Sequence, residues 1–179
     1  MLSVNKSKWL KIVIPVVIVC VIGGVWLLKN AQGSETEQEA PVSSNNQDFA
    51  LHVTDELDLD QLKSYGLPII IDFGADSCVP CKEMAPVLKT LNEEYQGKVI
   101  IKFVDVWKYQ ELAQGFPISL IPTQIFIGAD GKTFNPENPT EFSLNQYVTK
   151  DTSELVFTTH EGGMTKEDFL KIFKVMGVQ

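Results

Sequence analysis

The sequence predicts an α/β fold built on a central mixed sheet, and three observations carry that reading. Two apolar runs of strand length, "LPIIIDFGA" (67–75) and "KVIIKFVDV" (98–106), have the continuous pattern of strands covered on both faces. Between them, "VPCKEMAPVLKTLNEEYQG" places Met84, Val87, Leu88 and Leu91 along one helical face and stops at Gly97. Near the C-terminus, "TKEDFLKIFKVMG" reads as a helix capped by Thr165, with Asp168 three residues on in a capping-box-like pattern.

The remaining elements follow in order. "FALHV" (49–53) reads as an edge strand, and "DLDQLKSYG" (58–66) as a helix ending on Gly66. "YQELAQGF" (109–116) gives a short helix, and "IPTQIFIGADGK" (121–132) a strand with an Asp-Gly turn into another strand. Residues 135–152 hold two prolines and no clean period, so they read as an insertion or extended loop. "ELVFTTHEGG" (154–163) is the last strand. The predicted order is βαβαβαββα, and such alternation places chemistry where strands end and helices begin.

A second organisational signal precedes this domain. From Ile12 to Leu28 seventeen residues carry no charge, the lower limit for a helix crossing a hydrocarbon core of about 30 Å. Lys6, Lys8 and Lys11 lie before the run, whereas Lys29 is soon followed by "SETEQEA". The asymmetry predicts a cytoplasmic N-terminus (1–11), a transmembrane anchor (12–28) and an extracytoplasmic remainder. Residues 29–48 have little to bury and read as a flexible linker to a folded part covering 49–179. The competing reading is a signal peptide cleaved near Ala31-Gln32-Gly33, which the length of the apolar core disfavours. Cys20, within the run, reads as an ordinary membrane-buried thiol.

Charge narrows the function classes. Beyond residue 33 stand 11 lysines against 23 acidic residues, a formal charge of −12, and the whole chain has no arginine. A basic footprint for nucleic acid is absent.

The chemistry concentrates in "DFGADSCVPCKEMAPVL" (72–88). A cysteine at the start of a helix has its thiolate stabilised by unpaired N–H groups and the positive dipole end. Cys78 is placed there, with Pro80 in the first turn and Cys81 one turn further in, the spacing a reversible dithiol carrier needs. Asp72 is a polar intruder at the end of an apolar strand. It is either a strand-end acid facing solvent or a buried group with a raised pKa that exchanges a proton with Cys81 through water. Two other readings of the cysteines stay open, a zinc or copper site and a pair of inert thiols. A structural zinc site needs four ligands, and beyond these cysteines the domain offers only His52 and His160, without metal-ligand spacing.

This stretch resembles the thioredoxin family. The pattern V-D-F-x-A-x-x-C-x-P-C-K is matched by Ile71-Asp72-Phe73, Ala75 and Cys78 to Lys82, and similarity continues through "MAPVL", "EYQGKV", Val104-Asp105-Val106, "IPTQIFIGADGK" and "GGMTKEDFLKIF". The resemblance implies a thioredoxin-like three-layer α/β/α sandwich. It implies that Pro122 is a cis-proline facing the cysteines, with the Ile121 backbone pairing with a bound peptide and Val79 and Pro80 beside it. It further implies that Cys78 attacks, Cys81 resolves and Asp72 is the family's buried acid. The redox-active Cys78–Cys81 disulfide is then the only cofactor, with no metal.

The departures carry expectations of their own. Ser77 stands where the family usually has Trp, and Asp76 brings a carboxylate that opposes thiolate formation on Cys78. Val79-Pro80 replaces Gly-Pro, and the position of the lysine often found near the buried acid holds Phe103, with Lys102 expected to point to the opposite face. Pro80 and Ile121 resemble the reducing members. The expected function is an extracytoplasmic, membrane-anchored thiol-disulfide oxidoreductase similar to those of cytochrome c maturation. A membrane thiol-electron transporter would supply its electrons and disulfide-containing exported proteins, apocytochrome c among them, would receive them. The alternatives are a disulfide-forming oxidase or isomerase, and a metal-binding or adaptor module on the same scaffold.

Overall fold

The computed structural model describes residues 47–179, so the anchor expected over 12–28 and nearly all of the expected linker lie outside the described residues. Among the described residues no helix is long and apolar enough to cross a membrane.

The two apolar runs form the centre of the sheet. Strands β2 (Ile69–Gly74) and β3 (Ile100–Asp105) are buried throughout and pair in parallel. Parallel pairing demands a crossover, and helix α2 (Val79–Glu94) supplies it. The sheet is completed by the short β1 (His52–Val53), parallel to β3, and by β4 (Thr123–Ile127), antiparallel to β2. Beyond β4 lie β6 (Leu155–Glu161) and then β5 (Leu144–Val148), giving the order β1-β3-β2-β4-β6-β5.

Period-two alternation along β2 sorts its side chains between two cores. Ile70 joins Met84, Leu88 and Leu91 of α2 and Phe169, Ile172 and Phe173 of helix α3 (Lys166–Val175). Ile69, Ile71 and Phe73 face the other way, onto Leu62 of helix α1 (Leu59–Ser64) and the partly buried Leu112 and Phe116. Helices therefore cover both faces, and each fully buried Leu or Phe contributes roughly 2–3 kcal/mol of apolar burial. By the same alternation Asp72 points to the α2 side.

Most predicted elements are present with trimmed ends. The expected strand over 49–53 is β1 alone, since Gln47–Phe49 coil into a 3-10 turn, and the helix over 109–116 is one 3-10 turn at Gln110–Ala113. The predicted capping box is formed: Asp168 N–H donates to Thr165 Oγ1, and Thr165 N–H to Asp168 Oδ2.

Two expectations need correction. The Asp130-Gly131 turn forms, but the returning chain makes only a single bridge, Thr133 to Ile127. Pro136 follows two residues after Phe134 and has no N–H with which to extend a ladder. The segment 135–152 is not all loop, because β5 lies inside it and forms an antiparallel pair with β6.

Lys102, as expected, faces away from Asp72. Its buried ammonium donates to the carbonyls of Gln47 (2.9 Å), Asp48 (3.2 Å) and Ala50 (2.7 Å), pinning the first described residues to β3. Burial lowers its pKa, opposed by the charges of Asp48 and Asp55.

Candidate active site

The site lies at the C-terminal end of β2, where Ala75–Ser77 turn the chain into α2. Cys78 is the N-cap of α2, with extended backbone (φ −77°, ψ 125°), and its sulfur accepts the Cys81 N–H at 3.3 Å. The Lys82 N–H donates to the Cys78 carbonyl at 3.0 Å, so the first turn closes around the cap. Pro80 sits within that turn, where a missing N–H costs nothing, and Val79 beside it is 64% exposed. Cys78 and Cys81 form a disulfide with Cα atoms 5.2 Å apart, and Cys78 is the less buried of the two. Once reduced, Cys78 is the sulfur the helix end favours as thiolate.

The Ile121–Pro122 peptide bond is cis. Ile121 packs against Ala75, Cys78 and Cys81, and its carbonyl oxygen lies 3.9 Å from Cys78 Sγ. A backbone edge therefore stands beside the less buried sulfur, the arrangement by which an extended peptide can be held against a nucleophile.

Asp72 is fully buried behind the disulfide, the second of the two settings that its position in the sequence left open. Its Oδ1 accepts from Gln124 Nε2 at 2.7 Å and its Oδ2 has no protein partner. Burial pushes the carboxyl up to about 7, with the Gln124 bond working in the opposite direction. Gly74 keeps the space between acid and thiol open. A Cβ there would lie 2.9 Å from the Phe103 ring, 3.2 Å from Cys81 Sγ and 3.4 Å from Asp72 Oδ2. Those last two distances bound the gap between acid and sulfur to the span of one or two water molecules. A cavity of about 290 Å³, lined in part by His52, Cys81, Lys82 and Phe103, reaches the Cys81 side of this gap.

The other potential ligands stay apart. His52 lies on β1 and His160 on β6, with three strands between them. Among the described residues no group of three or more His, Cys, Asp or Glu side chains is arranged to hold a metal ion.

The thioredoxin family model matches residues 49–150, which include Asp72, both cysteines and Pro122. The chain belongs to the thioredoxin family. It is 33% identical over 92 residues to the thioredoxin of Borreliella burgdorferi, covering 51% of this chain and 79% of that protein. It is 36% identical over 81 residues to the thioredoxin of Mycoplasmoides gallisepticum, covering 45% and 79%. With thioredoxin 1 of Chlorobaculum tepidum it shares 38% identity over 74 residues, covering 41% and 73%. Together with the Cys-x-x-Cys pair, these relationships make this thioredoxin domain a thiol-disulfide oxidoreductase.

Within the thioredoxin domain, the loop bearing Cys78 is fastened by Asp105, a residue that the reading of the sequence matched to the family but gave no role. Its carboxylate accepts from Asp76 N–H (3.0 Å), Trp107 N–H (3.0 Å) and Lys108 N–H (3.2 Å), tying the turn after β2 to the turn after β3. The signal was an acid ending a buried strand just before a turn. Asp76 itself, expected to oppose the Cys78 thiolate, is ion-paired with Lys108 at the surface. Gln124 was also missed, although a glutamine inside an apolar strand is as much a polar intruder as Asp72.

Burial alone would raise the Asp105 pKa, but the three N–H groups and the Lys108 charge hold it below the usual carboxylate range. The folded state thus binds this proton less readily than the unfolded chain. The resulting stability is complete above the unfolded value and disappears as pH falls through the folded one. Asp105→Ala lowers unfolding free energy by about 2 kcal/mol at pH 7, and the deficit shrinks below about pH 4. Denaturant unfolding of both chains across this range checks it, and a deficit that stays constant into acid contradicts it.

Proposed function

We propose that this chain is an extracytoplasmic, membrane-anchored thiol-disulfide oxidoreductase that reduces disulfides in exported proteins. The observation that carries the chemistry is Cys78 at the N-terminus of α2, facing the Ile121 carbonyl across the cis-Pro122 turn. The apolar run 12–28 with its preceding lysines supports the tether and the outward orientation. Pro80 and Ile121, which resemble the reducing members, support the direction of electron flow.

In this reading the reduced Cys78 thiolate attacks one sulfur of a substrate disulfide. A Cys78–substrate bond forms, the substrate S–S bond breaks and one substrate thiolate leaves. Cys81 then gives its proton toward Asp72 and attacks Cys78 Sγ, forming the intramolecular disulfide and releasing the second substrate thiolate. Two electrons pass to the substrate. A membrane thiol-electron transporter returns them by the reverse exchange, and apocytochrome c is one candidate recipient. The tether confines encounters to the membrane surface, which raises the effective concentration of partners there.

The equilibrium redox potential of the Cys78–Cys81 couple in the 179-residue chain, titrated against dithiothreitol with the disulfide quantified by mass, tests this reading. A value near −270 mV, about that of thioredoxin, is expected. A value above about −180 mV turns the assignment to an oxidase or isomerase. Failure to form the disulfide reversibly ends it.

A further inference from the structure

Three polar side chains form one row across the centre of the sheet. Asp72 on β2 is the cross-strand partner of Gln124 on β4, which is the partner of His160 on β6. Their side chains are joined: Gln124 Nε2 donates to Asp72 Oδ1 at 2.7 Å, and His160 Nδ1 lies 3.0 Å from Gln124 Oε1. Gln124 is fully buried and His160 half-buried, so the row leads from the acid beneath the disulfide toward the β6 side of the sheet.

We propose that Gln124 and His160 are positioning residues that set how tightly Asp72 holds the proton it exchanges with Cys81. This rests on the proton-handling role given to Asp72 above.

An amide has a donor end and an acceptor end, and only the donor end favours an ionised carboxylate. The orientation of Gln124 therefore decides the sign of its effect. With Nδ1–H directed at Oε1, His160 holds the oxygen away from Asp72 and leaves Nε2 facing it. The second amide hydrogen is directed toward Met84 Sδ, 3.8 Å away on α2, so every polar atom of this buried side chain is engaged. Removing His160 frees the amide to turn its oxygen to Asp72, which favours the protonated acid.

The surroundings supply little competing charge. Phe103 on β3 is the cross-strand partner of Asp72, and Cys81 of α2 lies on the other side of the space over Gly74. Around His160 stand Glu161 on its own strand, Asp168 from the first turn of α3 and the Gly162 backbone, all of which favour the charged ring. Burial outweighs them and lowers the pKa of His160, which keeps the ring neutral at neutral pH.

The test is a carboxyl-carbon NMR titration of Asp72 in the oxidised 179-residue chain and its variants, alongside the pH profile of substrate reduction. Gln124→Leu is expected to tighten proton binding to Asp72 about tenfold, the loss of one charge-assisted hydrogen bond. His160→Phe should act in the same direction about threefold. His160→Asn, which keeps an N–H donor, should restore most of the native value. An Asp72 titration unchanged in both Gln124→Leu and His160→Phe, with native far-UV circular dichroism, overturns the proposal. If Gln124→Leu fails to fold, the His160→Phe and His160→Asn pair decides alone. Asp72→Asn separates the two layers: if it leaves the pH profile of reduction unaltered, the role of Asp72 fails, while the titration still reports on the row.

Discussion

Incubated with a disulfide-bonded protein, the Cys81→Ser chain accumulates a mixed disulfide through Cys78, and its steady-state turnover falls on the order of a thousandfold. The expectation follows from placement. Cys78 caps α2 and is the less buried sulfur, whereas Cys81 lies one turn inside, in reach of Cys78 and almost sealed from a partner. Attack from outside therefore begins at Cys78, and only Cys81 can resolve the adduct quickly. Non-reducing electrophoresis with mass analysis reads the trapped species and names the substrate. If the adduct instead collects on Cys81 in a Cys78→Ser chain, the order of the two cysteines is reversed and the mechanism above is wrong.

The second large effect is thermodynamic. Asp72 titrates near 7 in the folded state against 3.8 for an ordinary aspartate, so between those values the native chain holds a proton that the unfolded chain has lost. Stability therefore falls as pH rises through this window and levels off above it. The cost of an ionised Asp72 at pH 8 is about 4 kcal/mol. Asp72→Asn removes that cost, so oxidised Asp72→Asn should be more stable than the native chain by a few kcal/mol at pH 8 and nearly equal to it at pH 4. The same variant should reduce substrate about tenfold or more slowly at pH 7, because Cys81 loses its proton acceptor. Denaturant melts at both pH values check the first half; a stability difference that does not change with pH would mean that Asp72 ionises without penalty.

The central elements were legible because their signals are local. β2 and β3 announced themselves as apolar runs, α2 by its spacing and its cysteine cap, and α3 by the Thr165/Asp168 box. β5 was not, because it is an edge strand whose five residues bury only Leu144, leaving no alternation to read. The cysteines were legible for the same local reason. The row from Asp72 to His160 was not, since its members are 52 and 36 residues apart and meet only through strand pairing. Asp105 belongs to the same class: its role depends on Asp76, 29 residues earlier, arriving at the same end of the sheet.

The three carbonyls gathered around Lys102 have a mechanical consequence. Any pull on the chain at Gln47 meets the Lys102 ammonium first, and through it β3, a strand bonded on both sides within a six-stranded sheet. Tension is thereby spread over the ladder of β3 with β2 and β1. The turn that carries Cys78 is clasped to Asp105, the last residue of that same β3 strand, three positions beyond Lys102. One strand thus joins the leading end of the domain to the turn that holds its dithiol.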